Sequence, residues 1–158
     1  MRKPPKPLET YEQTKEKALR LLEFRSHSKK ELFQKLSRQG AAEEHIEKTL
    51  EFLESYHLIN DEDYAKRLAL DLKNLKKYGR NRIKSELFER GISSQIVEEI
   101  ISGISDEEDG LSLLIEKRLK GDFSQKNIEK AMRYFIYRGY GASQIKRCIE
   151  IIKEKSEV

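Results

Sequence analysis

One local pattern is written three times along this chain. An amphipathic helix runs into a basic or polar residue and a glycine, and a new helix then begins. The stops are Arg38-Gln39-Gly40, Glu89-Arg90-Gly91 and Tyr137-Arg138-Gly139, with the glycines 51 and 48 residues apart. Setting the glycines in register aligns Leu36, Leu87 and Phe135 before them. It also aligns Ile46, Val97 and Ile145, then Leu50, Ile101 and Ile149, after them. A helical unit this small cannot bury its apolar face alone and stacks on its neighbours instead. The pattern therefore predicts an all-α chain of three tandem three-helix repeats in an elongated array, with a broad binding face rather than a catalytic pocket.

Capping signals place the helices. Residues 1–9 read as a mobile, Pro- and Lys-rich tail. Thr10 and Gln13 have capping-box spacing and open a first helix over about 11–25. Ala18, Leu21, Leu22 and either Phe24 or Arg25 form its inner stripe. Ser28 and Glu31 repeat the box before Leu32, Phe33 and Leu36, and a third helix spans about 42–56. The second repeat, residues 60–104, starts at Asn60-Asp61-Glu62-Asp63, where side-chain oxygens cap helix amides. There Tyr64, Leu68, Leu72 and Leu75 recur at helical spacing up to a stop at Gly79. Ile83, Leu87 and Phe88 follow, and Ser93 or Ser94 begins the next helix. In the third repeat, residues 105–155, Ser105 and Glu108 form another box, and the later helices carry Ile128, Ala131, Met132 and Phe135, then Ile145, Cys148, Ile149 and Ile152. No segment alternates apolar and polar residues over strand length.

Composition narrows the function. Charged residues make up 38% and hydrophobic residues 37%, with no Trp, which suits thin, exposed helical layers. No apolar run approaches the roughly 20 residues that span a bilayer. Residues 1–7 lack the apolar stretch of a secretory signal, and a single cysteine excludes an intrachain disulfide. A cytoplasmic, monomeric protein without membrane contact is expected. His27, His45 and His57 lie at no metal-ligand spacing. The acidic runs 61–63 and 106–109 sit at helix starts and read as dipole complements. Cys148 reads as an inert core thiol, and the scattered glycines form no phosphate loop. No catalytic constellation, cofactor site or metal site is expected.

Charge is distributed unevenly: residues 64–90 sum to +6, 91–116 to −7 and 117–158 to +6. Lys73, Lys76, Lys77, Arg80, Arg82 and Lys84 crowd the junction of the fourth and fifth helices with Asp71 as their one nearby acid. Cations on a helix–turn–helix can meet phosphates or an acidic protein surface. Residues 133–140 interleave Arg133 and Arg138 with Tyr134, Phe135, Tyr137 and Tyr140. Such aromatics can stack on bases, although Phe135 and Tyr140 align with packing positions.

Several segments together resemble the RecX family, regulators of the bacterial RecA recombinase. They are residues 18–32, Lys35-Leu36 with Gly40, the stretch Leu58-Ile59-Asn60-Asp61-Glu62-Asp63-Tyr64-Ala65, Lys77-Tyr78-Gly79 with Ile83, Glu86-Leu87, and Arg90-Gly91-Ile92. The likeness is close over about 17–101 and rests afterwards on Lys117, Arg138-Gly139-Tyr140 and Ile145. It implies three tandem three-helix repeats in an elongated, curved all-α array and a non-enzymatic role. It also implies binding to the RecA nucleoprotein filament groove, mainly to restrain recombination, ATP hydrolysis and co-protease activity in DNA repair and the SOS response. Contact with DNA phosphates in the filament, and weak direct DNA binding, are compatible with that role. Of the family's central motif, Asp61 reads as a cap, Ile83 as core, and Gly79 and Gly91 as helix stops. Lys77 and Arg90 remain as contact residues, joined on charge alone by Lys73, Lys76, Arg80, Arg82 and Lys84. A stand-alone DNA-binding helical module and a helical scaffold for another partner stay open beside this reading.

Overall fold

The computed structural model describes residues 1–105 and 108–158. Among them the regular structure is wholly α-helical. The helices are α1 (Tyr11–Phe24), α2 (Lys29–Arg38), α3 (Glu43–Ser55), α4 (Asp61–Asn74), α5 (Arg80–Glu89), α6 (Ser94–Ser102), α7 (Glu108–Leu119), α8 (Gln125–Tyr137) and α9 (Ala142–Ser156). Asp106 and Glu107, part of the acidic run read as a helix start, lie outside the described residues.

Two compact units account for the packing. The first takes in residues 1–68 and 87–97, the second 69–86 and 98–158. In the first, α1, α2 and α3 pack on one another around Ala18, Leu32, Leu36, Ile46 and Leu53. In the second, α7, α8 and α9 pack around Leu111, Ile115, Phe135, Ile145 and Cys148.

The repeated glycine has a physical cause. Gly40, Gly91 and Gly139 have φ of 87°, 77° and 103°, a left-handed conformation that penalises a Cβ. Each closes a helix with the same pair of hydrogen bonds. The glycine N–H donates to the carbonyl three residues back, as from Gly91 to Phe88. The next residue donates five back: Ala41 to Leu36, Ile92 to Leu87 and Tyr140 to Phe135. This is the Schellman stop, and it brings the residue after the glycine against the apolar residue of the last turn. The aligned positions are buried accordingly, at no more than 2% exposure for Leu36, Leu87, Phe135, Ile46, Val97 and Ile145.

Two of the three expected boxes form: Thr10 and Ser28 accept from the amides of Gln13 and Glu31, whose side chains return to the cap residues. The third, of Ser105 and Glu108, spans Asp106 and Glu107, outside the described residues. Ser93 accepts from the amide of Ile96, so the serine ahead of α6 is its cap. Four details differ from the sequence reading. Helix α4 ends at Asn74, not at Gly79, because the amides of Leu75 and Lys76 both turn back to the Asp71 carbonyl and Lys77 takes a left-handed φ of 57°. Leu75 is consequently exposed, as is Phe88. Neither Phe24 nor Arg25 joins the inner stripe of α1. Phe24 is 88% exposed at the helix end, and Arg25 reaches across to Glu31 at 2.6 Å. Asp61 does not cap its own helix: Asn60 accepts from the Asp63 amide of α4, while Asp61 accepts from the Lys29 amide at the start of α2.

Candidate binding surface around residues 73–84

Within the second unit, the chain from the end of α4 to the start of α5 is fixed through its backbone. The Gly79 amide donates to the Arg138 carbonyl at 2.8 Å, and the Asn81 amide to the Gly139 carbonyl at 3.1 Å. Tyr140 Oη donates to the Lys77 carbonyl at 2.8 Å, and the Arg138 guanidinium donates to the Lys76 carbonyl. A Cβ on Gly79 would lie 2.5 Å from the Gly139 carbonyl carbon and oxygen, so only glycine permits this approach. Because carbonyls take the anchoring bonds, the Lys76 and Lys77 side chains stay exposed at the surface of an anchored loop.

Lys73, Lys77, Arg80 and Lys84 line a cleft of about 760 Å³. Its floor includes Ile101, Ile104, Leu111 and Leu114, and Lys117 and Arg147 also border it. Charge there is partly compensated. Lys84 pairs with Glu98 at 2.9 Å, and Arg147 with Glu108 at 2.9 Å. Lys76 is exposed on the same loop but does not border this cleft. Arg82 faces aromatic rings, 5.0 Å from the Tyr78 centroid and 4.9 Å from that of Tyr137, and bonds Glu86 at 3.2 Å.

Arg90 is not part of this surface. It lies in the first unit, where it donates to Tyr64 Oη at 2.7 Å, and Tyr64 in turn donates to the Glu31 carboxylate. Arg25 bonds the other oxygen of the same carboxylate. Burial by itself raises the Glu31 carboxyl, but the Arg25 and Tyr64 hydrogen bonds outweigh it and hold the group below its ordinary value. Burial and the neighbouring carboxylate push the Tyr64 phenol up.

The 133–140 cluster divides in the same way. Phe135 is core, in edge contact with Tyr134 and Tyr140 at centroid distances of 5.0 and 6.1 Å. Tyr137 is 72% exposed. The placement of Lys117 and Arg147 on the cleft was not legible in the sequence. Its signal was the +6 sum over residues 117–158, which carries no direction.

Among the described residues no group of three or more His, Cys, Asp or Glu side chains is arranged to hold a metal ion. His27 is buried, its Nδ1 2.8 Å from the Arg25 carbonyl and its Nε2 2.8 Å from Lys35 Nζ. Cys148 is buried in the core that α7, α8 and α9 form. Among the described residues no helix is long and apolar enough to cross a membrane.

Comparison with known proteins bears on what this surface serves. Residues 15–53 match the family description "RecX, first three-helix domain", and residues 60–101 match "RecX, second three-helix domain". The regulatory protein RecX of Chlorobium phaeobacteroides (strain BS1) is 34% identical over 137 residues, covering 85% of this chain and 90% of that protein. The regulatory protein RecX of Clostridioides difficile (strain 630) is 33% identical over 146 residues, covering 89% and 68%. The crystal structure of RecX from Lactobacillus salivarius has the same fold, with a TM-score of 0.75 at 22% identity over 90% of this chain and 96% of that one. Matching helices, matching domains and identity sustained over most of the chain lead to one conclusion: the chain belongs to the RecX family of regulatory proteins.

Proposed function

We propose that this chain regulates the RecA recombinase, mainly negatively, by binding the nucleoprotein filament and restraining recombination, ATP hydrolysis and co-protease activity during DNA repair and the SOS response. It acts as a non-enzymatic, monomeric, cytoplasmic protein. Its three three-helix segments, residues 10–59, 60–104 and 105–155, supply distributed contacts that add through linked geometry. Membership of a regulatory family supports the reading. The observation that carries it is the anchored 75–79 loop, whose carbonyls are tied down while Lys76 and Lys77 stay exposed. A filament groove presents both protein and DNA phosphates, and cations held at fixed positions meet them with less ordering entropy than a mobile tail.

Co-sedimentation with RecA filaments on single-stranded DNA tests the proposal. The chain should pellet with filaments at protein concentrations where neither free RecA nor naked DNA carries it down. A Lys76/Lys77/Arg80→Ala variant should need roughly tenfold more protein. Equal retention by naked DNA would favour a stand-alone DNA-binding module, and unchanged binding of the variant would remove this surface from the contact.

A further inference from the structure

A second groove in the second unit, of about 700 Å³, runs beside the anchored loop between α7 and α8. Of its 14 lining residues eight are Lys or Arg and none is acidic. Lys117 and Arg118 come from the last turn of α7 and Lys120 from just beyond it, while Lys130 and Arg133 come from α8. Lys76 and Lys77 of the loop, with Arg138, complete the set. Among the described residues none of the eight forms an ion pair with a carboxylate, in contrast to Lys84 and Arg147 of the first cleft. All but Arg138, which is half-buried, are exposed.

Gathering eight like charges along one groove opposes folding, so fold stability gives no reason for the arrangement, and an anionic ligand does. Two of the arginines are also pre-positioned. The Arg118 guanidinium lies 3.5 Å over the Tyr134 ring, and that of Arg138 lies 5.4 Å from the same ring and 5.0 Å from Tyr78. A ring holds a guanidinium plane in place while leaving its charge uncompensated.

The composition separates the classes of polyanion. Protein–protein contacts centre on exposed apolar anchors and are poor in lysine. Here five of the cations are lysines, and Leu75 is the single strongly exposed apolar side chain. A concave, lysine-rich groove with aromatic-backed arginines suits a flexible phosphodiester backbone that can bend into it. We infer that this groove binds single-stranded nucleic acid through its phosphates, Lys117, Arg118, Lys130 and Arg133 supplying the new contacts. The inference deepens the function proposed above by naming a strand-binding surface outside the 73–84 block. It is measured without recombinase, so the two readings fail separately.

The test is fluorescence anisotropy of a labelled oligothymidylate of about 20 nucleotides, titrated with the full chain at several salt concentrations. An Arg118→Glu/Lys130→Glu/Arg133→Glu variant should bind at least tenfold more weakly, and its slope of log affinity against log salt should flatten by about 2, near 0.7 per lost phosphate contact. A control of equal net charge, Lys146→Glu/Lys153→Glu/Lys155→Glu on α9, should lose no more than about threefold. The milder Arg118→Gln/Lys130→Gln/Arg133→Gln set, checked by circular dichroism, gives an intermediate loss if the groove is responsible and guards against misfolding of the reversal. Equal weakening by the groove and control reversals would overturn the inference, leaving net charge alone. Competition by polyglutamate of the same length as effective as by unlabelled oligothymidylate would overturn it in favour of an acidic protein partner.

Discussion

Two joints in this protein occupy the same place in the repeat and are built from opposite electrostatics. In the register of the glycines, Ser28 corresponds to Gly79, Glu31 to Arg82, and Arg90-Gly91 to Arg138-Gly139. In the first unit Ser28 Oγ donates to the Arg90 carbonyl at 2.6 Å; in the second the Gly79 amide donates to the Arg138 carbonyl at 2.8 Å. The equivalent arginine carbonyl thus accepts at both joints, from a serine hydroxyl in the first and a backbone amide in the second. Around it, Glu31 gathers Arg25, Tyr64 and Arg90 into a closed network, so the charges are used internally. The second joint has Arg82 where the first has Glu31. It cannot pair with Arg138, and Tyr78, Tyr134 and Tyr137 back the two guanidiniums instead. The first joint closes its charges on one another; in the second Arg82 pairs with Glu86, and among the described residues Arg138 pairs with no carboxylate and donates to the Lys76 carbonyl. A repeat protein can reuse one acceptor position while surrounding it with a closed ion-pair network in one place and aromatic-backed arginines in another.

The comparison breaks most visibly at the glycines. A Cβ on Gly139 would lie 2.4 Å from the Arg82 amide nitrogen, and the three atoms nearest to one on Gly91 all belong to the Lys30 side chain. Gly139→Ala should therefore destabilise by about 2–4 kcal/mol, from left-handed strain plus a backbone clash. Gly91→Ala should lose about 1–3 kcal/mol, since the Lys30 Cγ and Cδ can rotate aside while its Cβ, 2.4 Å away, moves only with the α2 backbone. Gly121→Ala, at φ 77° with nothing near, should lose about 1 kcal/mol. Urea denaturation checks the order, and equal losses at all three positions would contradict the close approach.

Removing the hub of the closed network comes next. Glu31→Ala should cost about 2–3 kcal/mol because it removes a half-buried acceptor of charged donors and half of a capping box, and Arg90→Ala about 1–2 kcal/mol. Acid should probe the same unit. Burial, with Arg25 and Lys35 nearby, holds the His27 imidazole below its ordinary 6.5, and Glu31 lies below its ordinary 4.5. Both folded-state values are depressed, so the unfolded chain takes up protons first. The His27 contribution is complete above about pH 6.5 and is lost as pH falls below that; the Glu31 contribution is complete above about pH 4.5 and is lost as pH falls through its folded value. The urea midpoint should fall between about pH 7.5 and 5.5, and His27→Gln should flatten that part of the profile. The smallest effect on stability is expected for Arg82→Glu, which writes the first joint's acid into the second. It should leave the circular dichroism spectrum unchanged while weakening oligonucleotide binding, and tighter binding would contradict the charge argument.

What the sequence made legible was local. Three Schellman glycines, two capping boxes and the aligned leucines could be read directly because their partners lie within five residues. Leu75 could not be placed, because helical spacing continues past the point where the Asp71 carbonyl captures two amides and ends α4. Asp61 and Arg90 were legible as polar, but their partners lie 32 and 26 residues away, and nothing in a single sequence fixes such pairs. The second groove was visible only as a sum of charges. Which of those charges share a surface depends on how α7 and α8 pack.

The central claim, that the second joint serves recognition and the first serves cohesion, is tested most directly through RecA's single-strand-dependent ATP hydrolysis. The assay titrates in wild type, the Lys76/Lys77/Arg80→Ala variant and Arg90→Ala, at a temperature where all three are folded. The account predicts inhibition by wild type at substoichiometric amounts, a rightward shift of roughly tenfold for the triple variant, and none for Arg90→Ala. An equal shift for both variants, or for Arg90→Ala alone, would contradict it.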